Sequence, residues 1–150
     1  MEFACVRLLD PRAEQLLSSL HHEYEVRYGP GDAADDVPIE EFDPPVGAFL
    51  VLMDGPVTVA GGGIRRFDAE TCEVKRMWTH PDYRRQGHAK AVLAQLESMA
   101  REMGFLRLRL ETGAAQPEAL ALYSSLDFVE IPNYGRYKSA RGFELTLTNP

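Results

Sequence analysis

The chain has 150 residues, of which 45% are hydrophobic, and a formal net charge of −7. This length predicts a single domain over residues 1–150 with enough apolar side chains to bury a core. No apolar run approaches the roughly 18 residues of a membrane span, and the acidic balance argues against a nucleic-acid partner, so we expect a cytoplasmic protein without membrane contact. The two cysteines, Cys5 and Cys72, are too few for a disulfide framework and lack metal-type spacing, so no metal is expected.

The first quarter of the chain predicts a strand, a helix and a long loop. Residues 3–9 are typical of a strand, which Asp10-Pro11 stops. The same dipeptide caps and opens a helix that should run to about Tyr28. Residues 29–45 are rich in glycine, proline and acids and predict a loop, with one helical turn near residues 39–42.

A hairpin should follow. Residues 46–53 and 57–67 are strand-like and flank Asp54-Gly55, a strong turn dipeptide. The run Gly61-Gly62-Gly63 weakens the second strand and predicts a bulge or a close backbone approach there.

The second half alternates strands and helices. A strand over residues 72–79 is followed by a helix over about 86–103, whose apolar residues recur at helical spacing and which Gly104 ends. Residues 105–111 alternate apolar and charged positions, as a half-buried strand does.

A helix opened by Pro117 and final strands over 128–131 and 142–148 complete the order β-α-(α)-β-β-β-α-β-α-β-β. This order predicts an α/β sandwich with a central mixed sheet and helices on both faces.

The segment Arg84-Arg85-Gln86-Gly87-His88-Ala89 predicts an anion site. It joins a strand to an amphipathic helix, and the first helical turn offers unpaired N–H groups and the positive end of the helix dipole. Gly87 permits close backbone approach, because it has no Cβ. Residues 75–90 contain five basic residues and one acidic residue in an otherwise acidic chain.

Three segments together resemble the GNAT superfamily of N-acetyltransferases. Arg84-x-x-Gly87-x-Ala89 is similar to its acyl-CoA motif, residues 73–81 to its fourth strand and exit turn, and Leu122-Tyr123-x-x-x-Asp127-Phe128 to its last helix and the strand that follows. The resemblance implies a GNAT-like fold whose sheet is mixed but mostly antiparallel, with the fourth and fifth strands splayed apart. It departs from the family pattern at Asp127, where relatives usually have glycine, although aspartate tolerates left-handed geometry.

The resemblance also implies acetyl-CoA as co-substrate. Its pantetheine arm would enter the gap between the splayed strands and pair with the backbone of Met77, Trp78 and Thr79. Gln116 stands where relatives often carry an asparagine that contacts CoA, although the neighbouring Pro117 donates no N–H. The residues that would hold the pyrophosphate are Arg84, Arg85, Gln86, Gly87, His88, Ala89 and Lys90.

Two side chains match catalytic positions of the family. Acyl transfer needs a base, since an amine with a pKa near 10.4 is only about 0.04% neutral at pH 7. Glu73 on the fourth strand would be that base, directly or through one water, and Tyr123 would protonate the leaving thiolate. A backbone N–H near Met77 or Trp78 could stabilise the oxyanion. The alternatives are that Glu73 pairs with Arg109 or another cation and that Tyr123 is a core aromatic.

The expected activity is transfer of an acetyl group to a primary amine of a small molecule or peptide by direct attack in a ternary complex. The acidic residues between Asp32 and Asp43 would favour a cationic acceptor if they bind one. The alternative function is an acyl-CoA sensor or interaction domain without turnover. Acetyltransferases of this size often pair through exposed strands, so a homodimer is a further expectation.

Overall fold

The computed structural model describes residues 1–28, 38–113, 117–135 and 139–147. The predicted order of elements is confirmed within these ranges, including a 3-10 turn at Ile39–Phe42. A second 3-10 turn at Pro81–Tyr83 was not predicted. The strands and helices are β1 (Glu2–Cys5), α1 (Pro11–Tyr28), β2 (Gly47–Asp54), β3 (Val57–Arg66), β4 (Thr71–Thr79), α2 (His88–Glu102), β5 (Arg107–Thr112), α3 (Pro117–Ser125), β6 (Val129–Ile131) and β7 (Arg141–Thr146).

The predicted ends of the elements are close to the observed ones, with one larger difference. β1 ends at Cys5 and not at residue 9, although the Val6 N–H still donates to the Phe49 carbonyl oxygen. Asp10 caps α1 as predicted, since its Oδ1 accepts the Arg12 N–H at 2.9 Å. Asp127 adopts the left-handed conformation that its position requires, with φ of 67°.

All strands belong to one sheet in the order β1-β2-β3-β4-β5-β7-β6. Each neighbouring pair is antiparallel except β4 and β5, which run parallel. The prediction of a mixed, mostly antiparallel sheet is therefore confirmed.

The two parallel strands separate partway along their length. Their pairing runs from Thr71 opposite Arg107 to Glu73 opposite Arg109, whereas β4 continues to Thr79 and β5 to Thr112. The predicted splay of the fourth and fifth strands is therefore present, and the backbone groups along the opening must find partners other than a neighbouring strand.

A bulge in β4 accompanies this separation. Its pairing with β3 shifts register between Gly61 and Gly63, and Arg76 has a φ of 60°. A bulge bends its strand and increases the local twist. The glycine run therefore marks a bulge, as the sequence predicted.

The helices cover both faces of the sheet, as expected. α1 and the Ile39–Phe42 turn bury one face, and α2 and α3 pack on the other. The α1 side has a core of Leu8, Ala13, Leu16, Phe42, Phe49, Val51 and Trp78. The predicted apolar side of α2 is also confirmed, and its buried residues are Val92, Leu93, Leu96 and Ala100. None of the helices in the described ranges combines the length and apolar character that crossing a bilayer requires.

The glycine run is also a close approach between α1 and the sheet. A Cβ on Gly61 would lie 2.5 Å from the Leu50 carbonyl oxygen and 2.7 Å from the Leu16 Cδ1. A Cβ on Gly62 would meet the Met77 Sδ at 2.5 Å, and that thioether is the flexible end of a side chain.

We therefore expect Gly61→Ala to lower the free energy of unfolding by about 1–3 kcal/mol, because backbone and helix must move to admit the methyl group. Gly62→Ala is the matched control and should cost less, since Met77 can change rotamer. Urea unfolding of both variants measures the difference, and equal stabilities would contradict a close approach at Gly61.

Candidate active site

A large cleft lies where β4 and β5 separate. Its volume is about 1540 Å³, and its walls come from β4, the turn before α2, the end of β5, α3 and the exposed side of α1. The predicted site residues among its lining are Met77, Trp78, Thr79, Arg84, Arg85, Gly87, His88, Ala89, Lys90 and Tyr123. Two predicted site residues that the structure describes, Glu73 and Gln86, do not line the cleft.

One end of the cleft is the N-terminus of α2. Gly87 is the N-cap with a φ of 85°, and no described side chain caps the helix. Helical bonding begins with the Ala91 N–H, which donates to the Gly87 carbonyl oxygen. The N–H groups of His88, Ala89 and Lys90 therefore precede the first intrahelical bond, and the first turn has no acidic residue to compete for them. This end is suited to an anion.

Arg84 holds this turn in place. Its Nε donates to the Thr79 carbonyl oxygen at 2.8 Å, and its Nη2 donates to Glu23 Oε1 at 2.6 Å. The other oxygen of Glu23 accepts the Trp78 Nε1–H at 2.5 Å. Glu23 of α1 therefore joins β4 to the turn, and the structure shows Trp78 as a packed residue that is 6% exposed.

Sequence reasoning did not find Glu23, because its partners lie 55 and 61 residues away in the chain. Gln86 is placed beside the helix start, with its Oε1 3.3 Å from His88 Nε2. Gln116 lies outside the described residues, as does most of the acidic loop, since residues 29–37 are not described.

Tyr123 lies on the α3 side of the cleft. It is 6% exposed, and its ring packs against Phe128 and Phe143 with centroid distances of 5.7 and 5.9 Å. Burial raises the pKa of its hydroxyl, and the charge of Tyr24 adds to the effect. Within the described ranges this hydroxyl makes no hydrogen bond. Tyr123 is one of the residues that line the cleft.

Glu73 lies on the opposite face of the sheet and is 3% exposed. Its Oε1 accepts from Arg65 Nη1 at 3.0 Å, and its Oε2 accepts from the Tyr134 hydroxyl at 2.7 Å. Glu73 does pair with cations, as one alternative expected. They are Arg65 and Lys75, whose Nζ lies 4.0 Å from Oε2, and not Arg109. Arg65 in turn binds Glu41, with Nε to Oε1 at 2.8 Å.

The strand register explains this arrangement. Arg65, Glu73, Arg109 and Glu144 lie directly opposite one another across β3, β4, β5 and β7, and we call them the charged row. Arg109 donates to Glu144 at 2.6 Å and lies 4.8 Å from the ring centroids of both Phe67 and Tyr134. Cross-strand pairs of opposite charge stabilise a sheet, and Arg109 also gains from the two aromatic rings.

The end of β5 contributes two residues that sequence reasoning missed. Glu111 and Thr112 both line the cleft beyond Arg109, the last β5 residue that pairs with β4. Thr112 is 6% exposed, and its Oγ1 has no hydrogen-bond partner among the described residues. Buried hydroxyl groups normally have a hydrogen-bond partner, so Thr112 offers a polar group to whatever occupies the cleft. Only the splay, which depends on tertiary structure, turns these positions into cleft walls.

The described part of the chain has no cluster of three or more His, Cys, Asp or Glu side chains that could hold a metal ion. The cleft instead combines the N-terminus of α2, which suits an anion, with the edge of β4 that β5 has left. The Tyr123 phenol and the Glu111 carboxylate lie on its walls.

Comparison with known proteins identifies the family of this chain. A sequence profile of the acetyltransferase (GNAT) family matches residues 13–128. The uncharacterized N-acetyltransferase YjgM of Escherichia coli K12 is 32% identical over 129 residues, which cover 81% of this chain and 77% of that protein.

Two solved structures show the same fold. An acetyltransferase from Streptococcus agalactiae aligns with a TM-score of 0.78 at 17% identity and covers 97% of this chain and 98% of its own. The PaiA N-acetyltransferase of Thermoplasma acidophilum in complex with coenzyme A aligns with a TM-score of 0.73 at 16% identity, covering 97% and 99% of the two chains. From the profile match and the sequence relative, the chain belongs to the acetyltransferase (GNAT) family.

Proposed function

We propose that the protein transfers an acetyl group from acetyl-CoA to a primary amine of a small molecule or peptide, by direct attack in a ternary complex. Family membership makes it an acyl-CoA-dependent N-acyltransferase, and the residue roles below are the proposal. The observation that carries it is the opening between β4 and β5, with an anion site at one end and a buried phenol in its wall.

The proposed cofactor route follows the cleft. The pyrophosphate binds the N–H groups of His88, Ala89 and Lys90, with Arg85 beside them on the cleft wall. The pantetheine arm runs along Met77 to Thr79 and takes the place of a neighbouring strand. The Thr79 carbonyl already accepts from Arg84, so the arm would use the other backbone groups of this segment. The coenzyme A complex of the Thermoplasma acidophilum neighbour, which has the same fold, supports this choice of cofactor.

In the proposed reaction the neutral amine attacks the thioester carbonyl carbon and forms a tetrahedral intermediate. A backbone N–H near Met77 or Trp78 stabilises the oxyanion. When the C–S bond breaks, the Tyr123 hydroxyl gives its proton to the thiolate. Burial keeps this phenol protonated across the working pH range, since its pKa is raised.

The assignment of Glu73 as the base stays a prediction. A base must reach the amine directly or through one water. Glu73 is buried away from the cleft wall, and its two oxygens already accept from Arg65 and Tyr134. These contacts make Glu73 a stabilising residue of the sheet. A Glu73 variant is compared below with a variant of Glu111.

The α1 side of the cleft supports an acceptor with an apolar body. Among the described residues, five aliphatic side chains line it, and the acidic side chains that α1 contributes are Glu14 and Glu23. The aliphatic residues are Leu8, Leu9, Leu17, Leu20 and Ile39, and Leu9 is 79% exposed. Apolar lining with a few polar groups is typical of small-molecule sites.

Gly87→Ala tests the anion site. Both Gly87 and Gly104 have a positive φ, and a Cβ added at either would have no atom within 4 Å, so alanine at either position strains the backbone by about 1–2 kcal/mol. Gly87→Ala should also weaken acetyl-CoA binding at least tenfold, because the methyl group obstructs the pyrophosphate. Calorimetric titration measures both variants, and equal acetyl-CoA affinities for Gly87→Ala and Gly104→Ala would contradict the site.

Thr112→Val tests the unpaired hydroxyl. The substitution keeps the shape and removes a buried polar atom without a partner, so the free energy of unfolding should rise by about 1 kcal/mol. If the cofactor arm supplies the missing partner, acetyl-CoA affinity should fall by about 3–10-fold. A stabilised variant with unchanged acetyl-CoA affinity would show that the hydroxyl does not bind the cofactor.

Tyr123→Phe tests the acid. We expect turnover to fall by about 10²–10⁴-fold while acetyl-CoA binding persists. The assay follows acetyl-CoA consumption over a panel of phenethylamine, spermidine, kanamycin and a lysine-containing peptide. Unchanged turnover would remove Tyr123 from the mechanism, and a wild-type protein that binds acetyl-CoA but acetylates none of a broad set of amines would favour the sensor.

A further inference from the structure

Glu111 is the carboxylate on the cleft wall nearest to the splay. It follows Arg109, the last β5 residue paired with β4, by two positions, which is about 6–7 Å along a strand. Glu111 therefore lies on β5, the strand that carries Arg109 of the charged row, just beyond the point where β4 separates from it.

The carboxylate of Glu111 is oriented by one backbone amide and has no cationic partner among the described residues. Its Oε2 accepts the Gly135 N–H at 2.9 Å. This contact requires glycine at position 135, because a Cβ there would overlap the Glu111 carboxylate. Among the described residues no cation pairs with Glu111, and none donates a hydrogen bond to its second oxygen, Oε1. One backbone amide thus fixes the group and leaves an acceptor oxygen available.

The other carboxylates near the cleft are engaged differently. Both oxygens of Glu23 accept, one from Arg84 and one from Trp78. Both oxygens of Glu73 accept from Arg65 and Tyr134, and Glu73 does not reach the cleft wall. Glu14 also lines the cleft, but it lies in the first turn of α1 and not on a splayed strand. Glu111 is therefore the best placed of these carboxylates to receive a proton at the splay.

Glu111 and Tyr123 are on opposite sides of the sheet. Side chains two apart on a strand share a face, so Glu111 is on the face of Arg109 and Glu73, whereas Leu108 and Leu110 share a core with Tyr123. The aliphatic wall from α1 lies on the Glu111 face. An amine entering from the α1 side would meet Glu111 first, and a thiolate leaving on the α3 side would meet Tyr123.

We propose that Glu111 binds the acceptor's ammonium group and takes its proton, directly or through one water. This rests on the proposed function and names its base. The neutral nitrogen then forms the C–N bond, and the C–S electron pair leaves with sulfur. The thiolate takes the Tyr123 proton, the second nitrogen proton restores Tyr123 through water, and Glu111 releases its proton to solvent.

Glu111→Gln is the decisive variant, because the amide oxygen can still accept the Gly135 N–H and keep the loop in place. With the panel amine of highest turnover, kcat/KM for the amine should fall at least 10²-fold at pH 8, while acetyl-CoA affinity stays unchanged. Between about pH 7 and pH 9 the wild-type kcat/KM should change little with pH, because Glu111 accepts the proton of the ammonium form, which predominates there. The kcat/KM of the variant should rise about tenfold per pH unit, because only the neutral amine reacts without a base, so the ratio of wild type to variant should fall as pH rises.

Glu130→Gln is the matched control, since Glu130 is an exposed β6 carboxylate that lies outside the charged row and does not line the cleft. It should keep kcat/KM within about threefold of wild type. Glu111→Asp should recover part of the activity together with its pH dependence, which a purely structural role would not require.

Glu73→Gln is measured in parallel. We expect a lower melting temperature, because Arg65 loses a buried ionic partner, with a ratio to wild type that does not change with pH. A pH-dependent ratio for Glu73→Gln, together with wild-type kinetics for Glu111→Gln, would overturn the proposal and assign the base to Glu73. A wild-type protein without turnover would overturn the proposed function itself, which is a different result from an inert Glu111 in an active enzyme.

Discussion

The separation of β4 from β5 is the constraint on which the site depends. The strands pair only as far as Glu73 and Arg109, and both then continue without each other. Backbone N–H and C=O groups that lose a neighbouring strand need other partners. Arg84 supplies one of them at the Thr79 carbonyl, and the rest of the opening faces a cleft of about 1540 Å³. A ligand with its own amide groups can complete such an edge, as the pantetheine arm of CoA does in the proposed complex.

Several separate interactions maintain this opening. The bulge around Arg76 bends β4. The glycines opposite it on β3 allow β3 and α1 to approach closely. The charged row fixes the last paired position from the α1 side, with Arg65 and Tyr134 both bound to Glu73. Glu23 anchors the turn before α2 through Arg84. These contacts link the N-terminus of α2 to the splay, and such preorganisation is what catalysis by positioning requires.

The two faces of the sheet divide the proposed chemistry. Tyr123 is buried on the α3 face, where burial holds its proton, and Glu111 is on the α1 face with an oxygen available. A proton can then leave the amine on one side while another reaches sulfur on the other. Glu73 has a place in this scheme as the ionic centre of the charged row, and its buried pairing makes it costly to remove.

Much of the fold and part of the site could be predicted from the sequence. The element order, the bulge at the glycine run, the helix end at Gly104 and the left-handed Asp127 follow from local chemistry, because periodicity and backbone preferences act over a few residues. The anion turn is local in the same way. The partners of Glu73 and Glu23 are not local, since strand register decides the first and packing of α1 decides the second. In the sequence Glu111 and Thr112 look like ordinary strand residues, because nothing local shows that β4 separates from β5 before them.

A crystal structure of this protein with coenzyme A tests the central claim most directly. We predict the pyrophosphate within hydrogen-bond distance of the N–H groups of His88, Ala89 and Lys90. We also predict the pantetheine arm between β4 and β5, with the sulfur beside Tyr123. A cofactor bound elsewhere, or one that leaves the opening between the two strands empty, would contradict the claim.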